Sequence, residues 1–273
     1  MPDSPPHLAW LVNTGETIST ADGLVAEVWR LQPENDQTVL SAWAKHFRQH
    51  YCEDALLDEL RQGTGLSRAQ FLEQVKFPDA TDAPGPSIRS GDFAEILIAD
   101  YVEFKLGYWC PRELRYDMRW NRNESTKGCD VLGFKFVQFG KVSPRDELFV
   151  FEAKARLSSN AAVNCLQDAV NDSAKDPLRE GMTLNALKQR CIERGDNEAA
   201  AKIERFQDMA DRPFMRLNGA AAVLSIEAYD PDLLAQTTTA HHPNSSSLKL
   251  IVVKGDALMP LVHMLYERAK DEA

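Results

Sequence analysis

The order of apolar and polar residues predicts a chain built from both strands and helices. Leu24–Leu31 alternates well enough for a strand, and Leu148–Phe151 is a continuous apolar run typical of a short buried strand. Val39–Tyr51 instead carries apolar residues three or four apart, which is the spacing of one helix face. The same spacing predicts further helices over 53–61, from Ser67, from Ser90 to about Leu106 and from about Ser158.

The remaining elements follow from the same reading of the second half of the chain. A helix, three strands, a second helix and a further strand indicate an α/β fold, with a mixed sheet flanked by helices. A hairpin loop is expected between the second and third of these strands, where Gly140 and Pro144 interrupt the pattern. The expected strands lie around Leu114–Met118, over Val131–Val137, from Leu148 through Lys154, over Ala220–Tyr229 and over Leu248–Val253, with a terminal helix from about Asp256.

A proline-rich and turn-rich segment over residues 77–86 divides the chain. Residues 1–85 are expected to form a mainly helical N-terminal elaboration with one strand, and to offer a docking surface for a partner. Residues 86–273 are expected to form the main domain. Charged helical sequence over about 183–210, broken near Gly195, is expected to form an insertion in that domain, either as a solvated scaffold or as a second partner-binding surface.

Composition and charge narrow the functional classes. The net charge of −10 argues against a protein that coats nucleic acid non-specifically, yet residues 105–156 hold 11 Lys/Arg against 7 Asp/Glu. An apolar run of about 18 residues, as a membrane span needs, is absent, and the N-terminus does not have the pattern of a signal peptide. Five scattered cysteines without a Cys-x-x-Cys pair indicate reduced thiols in a cytoplasmic protein.

The strongest candidate chemistry lies on the second and third core strands. Glu152 and Lys154 are two residues apart on a strand, so their side chains point to the same face. Asp130 stands at the start of the neighbouring strand and is expected to reach the same point. Two carboxylates are hard oxygen ligands for Mg²⁺, and an ammonium group beside them suits the hydrolysis of a phosphodiester.

These residues resemble the motif of the PD-(D/E)xK nuclease superfamily, here written as Cys129-Asp130 and Glu152-Ala153-Lys154, with Cys129 in place of the usual proline. The resemblance implies a restriction-endonuclease-like core and a Mg²⁺-dependent nuclease, with Mn²⁺ as a substitute. It also implies that Glu95, on the preceding helix, is a third metal ligand. The alternative for Glu95 is an acid favoured by the dipole of the first helical turn. By the same resemblance, Gln167 on the following helix is an accessory residue, unless it is simply exposed.

Basic residues near this motif are candidates for phosphate contacts, because neutralising phosphates is the main source of nucleic-acid affinity. The alternative is that these side chains form a solvated, charged face. The candidates are Arg115, Arg119, Lys127 and Arg156.

A narrower resemblance rests on Ser90–Leu97, on Gly128-Cys129-Asp130 and on Phe151–Lys154. Together these segments look like HamA, the family of nuclease subunits of Hachiman anti-phage systems. The resemblance implies DNA as substrate and a HamB-like superfamily 2 helicase as the partner that restrains the nuclease. Two alternatives remain open, a stand-alone restriction-type endonuclease and a non-catalytic interaction subunit in which Glu152 and Lys154 form a structural ion pair.

Overall fold

The fold is built around one mixed sheet of six strands, in a computed structural model that describes residues 4–111, 116–117, 119–158, 163–175 and 177–273. The strand order is β1-β2-β6-β5-β4-β3. The four central strands β2, β6, β5 and β4 run parallel, and the outer pairs β1–β2 and β3–β4 are antiparallel. The strands are β1 (Leu11–Ser19), β2 (Val25–Leu31), β3 (Val131–Lys135), β4 (Glu147–Arg156), β5 (Met215–Ser225) and β6 (Lys249–Gly255).

Helices cover both faces of this sheet, which confirms the predicted α/β class. Two of the helices, α3 and α4, are each extended by a π-helical turn, over Leu72–Lys76 and Tyr101–Lys105. The α-helices are α1 (Gln37–Gln49), α2 (Asp54–Arg61), α3 (Arg68–Phe71), α4 (Gly85–Asp100), α5 (Cys165–Ser173), α6 (Pro177–Glu193), α7 (Asn197–Glu204), α8 (Pro231–Leu234) and α9 (Leu258–Asp271).

Alternation along β4 explains how the two faces are filled. Phe149 and Phe151 point into the larger core, where α4, α1 and α9 pack on the sheet. Leu148 and Val150 point to the other face and pack against α6 and α7. Glu152 continues the second series, so the strand carries a carboxylate directly from an apolar core towards the space between α5 and α6.

The first 85 residues share the sheet and the larger core with the rest of the chain. β2 pairs in parallel with β6 from Ala26 to Leu31, and α1 packs against the C-terminal helix α9. The sequence pattern did not predict β1, which spans Leu11–Ser19 and whose register with β2 shifts between Asn13 and Thr17. Most of β1 is exposed on both faces, so its sequence lacks the apolar alternation that marks a strand.

A buried polar cluster fastens the N-terminus to this core. Asp100, at the end of α4, accepts hydrogen bonds at 2.9 Å from the Nε2 atoms of both His7 and His46. His7 and Asp100 are fully buried, and the His7 ring stacks on Trp43. The hydrogen bonds satisfy a carboxylate that would otherwise be costly to bury.

Two helices begin earlier than the sequence predicts. α4 begins at Gly85, after Pro84, and not at Ser90, so the predicted cap residues lie inside the helix. Glu95 is therefore ten residues past the helix start, and the dipole of the first turn does not account for it. The predicted insertion also starts early, at Pro177 and not near residue 183, whereas the break at Gly195 between α6 and α7 is confirmed.

Three further findings concern the predictions made from sequence. The predicted strand at Leu114–Met118 falls mostly outside the described residues, and Tyr116 and Asp117 lie in a turn. All five cysteines are buried. Within the described ranges, none of the helices combines the length and the apolar character that crossing a membrane requires.

Candidate active site

The candidate site is built where β3 begins and β4 nears its end. Val131 of β3 pairs with Phe151 of β4, so the preceding Asp130 comes level with Glu152. The backbone N–H of Ala153 donates to Asp130 Oδ2 at 3.0 Å and fixes the aspartate against the strand. The antiparallel register thus brings two carboxylates together from residues 22 positions apart in the chain.

Glu152 is the most buried member of the site, with only 2% of its surface exposed. Its Oε1 atom lies 3.2 Å from Nη1 of Arg179 on α6, while the buried Oε2 atom has no donor among the described residues. Burial, followed by the repulsion of the Asp130 carboxylate, raises the pKa of Glu152 well above its usual range. Two acids pressed together in this way favour a shared proton or a cation between them.

Lys154 stands next to the two acids, but its ion pair is with another residue. Its Nζ atom lies 2.5 Å from Asp172 Oδ2 on α5. Burial alone would lower the pKa of Lys154, but Asp172, Asp130 and Glu152 raise it, so the side chain remains an ammonium group. The interaction-subunit alternative assumed an ion pair between Glu152 and Lys154. In the structure, Glu152 pairs with Arg179, and Lys154 pairs with Asp172.

A cleft of about 710 Å³ opens beside these groups and will be called the catalytic cleft, after the function that is proposed for it below. Asp130, Lys154 and Arg156 line it from the sheet, and Arg179 lines it from α6. Glu95 reaches the same cleft from α4, where its Oε2 atom accepts a hydrogen bond of 2.7 Å from the Tyr116 hydroxyl. The remaining wall carries several hydroxyl groups, those of Ser87, Ser90, Ser125, Thr126 and Ser158.

The basic residues predicted to contact phosphate have different environments. Arg156 lines the catalytic cleft, and Lys127 is exposed in the wall of a neighbouring cavity. Arg119 lies away from the cleft's lining, with its side chain 5% exposed, and donates two hydrogen bonds of 2.8 Å to Asp92. Arg115 lies outside the described residues.

Gln167 is not brought to the catalytic cleft. Its side-chain amide donates to the carbonyl of Thr238 at 3.1 Å and accepts from the Thr238 N–H at 2.8 Å. A third hydrogen bond joins it to Asn171, one turn further along α5. These contacts fasten the loop that follows α8 to helix α5.

Sequence reasoning missed three side chains that shape the site. Arg179 and Asp172 pair with the motif residues, and His263 of α9 lines the cleft, with its pKa lowered by burial and by Arg89. A signal for Arg179 was present, because Pro177 is a typical first residue of a helix and Arg179 shares one helical stripe with Thr183 and Leu187. Nothing local in the sequence connects Asp172 with Lys154.

Helix α6 also shapes the approach to Asp130. Arg179 donates to the carbonyl oxygen of Gly128 at 2.5 Å, and the Thr183 hydroxyl accepts from the N–H of Cys129 at 3.1 Å. Gly128 has a φ of +108°, and a Cβ atom there would lie 2.5 Å from the Thr183 hydroxyl oxygen. Only glycine fits this contact, which sets the position of the aspartate two residues later.

The carboxylates at the site are suitable ligands for a divalent cation. Asp130 and Glu152 provide carboxylate oxygens, the ligands that Mg²⁺ prefers, and Glu95 lines the same cleft. The buried Oε2 atom of Glu152 has no donor among the described residues, and the raised pKa of this carboxyl shows that its charged form lacks a fully compensating partner, which a cation would supply. The residues present therefore fit a hard divalent cation.

Fold and site together define an α/β protein whose sheet places a buried glutamate beside a partly exposed aspartate and a lysine that line a polar cleft. A family model for HamA matches residues 6–269, and the chain therefore belongs to the HamA family, whose members are part of Hachiman anti-phage systems. The match runs through both sides of the proline-rich segment at 77–86. A search of curated proteins found no significant match.

Proposed function

We propose that this HamA protein is a metal-dependent nuclease that hydrolyses DNA phosphodiester bonds and that its core belongs to the PD-(D/E)xK superfamily. The observation that carries the proposal is the pair Asp130 and Glu152, held together by strand register with one buried carboxylate oxygen left without a donor. A structural ion pair would instead satisfy its own acids.

Asp130 and Glu152 are the proposed ligands of Mg²⁺, or of Mn²⁺ in its place, with Glu95 as a third carboxylate from α4. A cation at this point supplies Lewis-acid stabilisation of a phosphate and acidifies a water molecule. The protein contributes the position of the acids, since the Ala153 N–H orients Asp130 and apolar strand residues bury Glu152.

Lys154 is the proposed electrostatic catalyst. Its ammonium group remains charged and stands beside both acids, where negative charge develops on the phosphate as water attacks. Asp172 orients the side chain through the ion pair at 2.5 Å. Arg156 and Arg179 extend the positive charge along the cleft and are proposed to contact phosphates.

The proposed partner is a HamB-like superfamily 2 helicase, which would supply the grip on DNA and restrain cleavage. Two observations support the proposal that the partner supplies most of the DNA binding. The chain has a net charge of −10, and its family belongs to Hachiman systems. A protein with this charge is poorly suited to hold a polyanion over a large surface by itself.

The test is incubation of the purified protein, alone and with a HamB-like helicase, with linear and supercoiled DNA. Degradation in Mg²⁺ that is lost in EDTA and in Glu152→Ala is expected, and the helicase should change its rate. Glu103→Gln is the matched control, because Glu103-Phe-Lys105 has the same acid-x-lysine spacing but lies on a π-helical turn. Absence of cleavage under every condition would contradict the proposal.

The same experiment separates the restriction-type alternative. A stand-alone restriction endonuclease would cut supercoiled DNA at fixed sequences without the partner, and would produce discrete fragments. Cleavage without fixed fragments that depends on the helicase would support the defence-complex form of the proposal.

A further inference from the structure

A second cavity, which will be called the α6 pocket, adjoins the catalytic cleft. It has a volume of about 520 Å³ and lies between β3 and α6. Asp130, Thr126 and Arg179 line both cavities, so the two share a wall at Asp130. The volume falls within the range of about 300–1,000 Å³ that is usual for small-molecule sites.

The far wall of the α6 pocket is apolar. Val131 and Leu132 form its floor, and Leu187, Met182 and Ala186 face it from the helix. Met182 is 66% exposed, although a large apolar side chain on a helix normally turns to a core. An apolar wall with a few polar groups at one end is the usual composition of a ligand site.

Cations surround this apolar wall. Arg179 stands at the shared end, Arg190 lies three turns further along α6, and the exposed Lys127 lies opposite, on the loop before Asp130. A guanidinium group at an apolar wall suits a flat aromatic ring as well as a phosphate, because it stacks on the one and pairs with the other.

The position of the charges distinguishes a nucleotide from a protein side chain. An apolar side chain in the pocket would bring its own uncharged backbone against Asp130 and Arg179 and would make no use of the charges at this end of the pocket. A nucleotide has an apolar base face at one end and a phosphate at the other. The base would lie on the apolar wall of the pocket, and the phosphate would lie at the end that adjoins the proposed hydrolytic site.

We propose that the α6 pocket receives one unpaired nucleobase of the DNA strand whose phosphodiester lies at Asp130 and Glu152. The inference rests on the proposed nuclease function and adds a preference, since a base enters a pocket only after leaving the helical stack. Single-stranded or frayed DNA should therefore bind more tightly than fully paired DNA.

The test uses oligonucleotides that carry 2-aminopurine, a base whose fluorescence rises when it leaves the stack, with the full-length protein in Ca²⁺. The wild type should raise the fluorescence of the single strand and bind it roughly tenfold more tightly than the duplex. Ala186→Phe fills the pocket and should remove the fluorescence change and weaken single-strand binding by roughly tenfold. Asn185→Phe, at the neighbouring exposed position outside the pocket, should stay within about twofold of the wild type.

Two results would overturn the inference. One is an unchanged fluorescence signal and affinity in Ala186→Phe, and the other is equal binding of single strand and duplex by the wild type. Loss of helicase binding in Ala186→Phe with normal DNA binding would assign the pocket to the protein partner. The readout needs no cleavage, so a failure of the nuclease proposal appears separately, as wild-type protein that binds the base but does not cut in Mg²⁺.

Discussion

At the scale of single residues, the proposed metal site depends on the protonation of one buried acid, Glu152. The pKa of Glu152 is raised by burial and by Asp130, so the folded protein holds a proton that the unfolded chain has already released. The stability that this proton confers is complete at acid pH and is lost as the pH rises through the raised pKa. A stabilising ion pair would show the opposite dependence, because it needs the charged acid.

Glu152→Gln should therefore raise the melting temperature in EDTA, and the gain should grow as the pH rises from acid to alkaline values. Glutamine keeps the shape and removes the charge that burial and Asp130 oppose. Thermal melting of both proteins across this pH range is the measurement. A melting temperature that falls by the equivalent of about 3–5 kcal/mol at neutral pH would instead indicate a structural ion pair.

Arg119→Ala should act on stability and not on DNA binding. Arg119 is buried against Asp92, which also accepts a hydrogen bond from the Tyr51 hydroxyl, and removing the guanidinium leaves that carboxylate without its cation. The expected loss is about 3–5 kcal/mol in the free energy of unfolding. Arg156→Ala, in the catalytic cleft, is the contrasting variant, with weaker DNA binding and a smaller loss of stability than Arg119→Ala, because Arg156 is only half-buried. Denaturant titration and DNA binding on both variants distinguish the two roles.

At the scale of elements, the sequence predicts those whose apolar pattern is complete. β3 and β4 are recognisable because they are buried on both faces, and the register between them follows from the hairpin. β1 escaped prediction because it is largely exposed, and the start of α4 because proline and glycine at 84–86 also favour turns.

The residues of the candidate site also fall into those that the sequence predicts and those that it does not. Asp130, Glu152 and Lys154 could be found from sequence because strand periodicity and one hairpin bring them together. The contacts of Arg179 and Asp172 could not be assigned, since they depend on how α5 and α6 pack across the sheet. The helical pattern indicates only that Arg179 shares a stripe of α6 with Thr183 and Leu187.

A buried arginine adds to the apolar packing that holds helices α6 and α7 in place. Arg205, directly after α7, donates to Asp146 at 2.9 Å and to three backbone carbonyls, and Asp146 is fully buried. These contacts fix the helical pair on the β3–β4 hairpin and so help to position Arg179.

Arg205→Ala should destabilise the protein by about 3–5 kcal/mol, because Asp146 then stays buried without its cation. Hydrogen–deuterium exchange should rise first in α6, α7 and the β3–β4 loop. Arg212→Ala removes only a partly exposed pair with Glu204 at 3.9 Å and should leave the exchange pattern unchanged. Equal exchange in the two variants would contradict this role for Arg205.

At the scale of the whole molecule, basic side chains are concentrated at the cleft although the chain as a whole is acidic. The chain carries −10 overall, while Lys154, Arg156 and Arg179 line the catalytic cleft within the described residues. Such a protein can hold the few phosphates around a scissile bond, but it repels DNA elsewhere. A partner with its own DNA-binding surface complements this distribution.

The salt dependence of DNA binding measures how many phosphates the isolated chain contacts and how many the partner adds. The isolated chain should show a slope of log affinity against log salt of about −3, as expected for three phosphate contacts, and the complex with the helicase a steeper one. Fluorescence anisotropy with one labelled oligonucleotide gives both values. A slope of about −8 for the isolated chain would mean that it binds DNA over a large surface by itself.

Whether Asp130 and Glu152 hold a divalent cation can be measured by Mn²⁺ titration followed by electron paramagnetic resonance. We expect the wild type to bind Mn²⁺, Glu152→Gln to lower the affinity by roughly tenfold or more, and Glu103→Gln to leave the affinity unchanged. We also expect tighter binding in Arg179→Ala, because the guanidinium at 3.2 Å from Glu152 competes with the cation. Equal Mn²⁺ affinity in the wild type and Glu152→Gln would contradict the metal site and the nuclease function built on it.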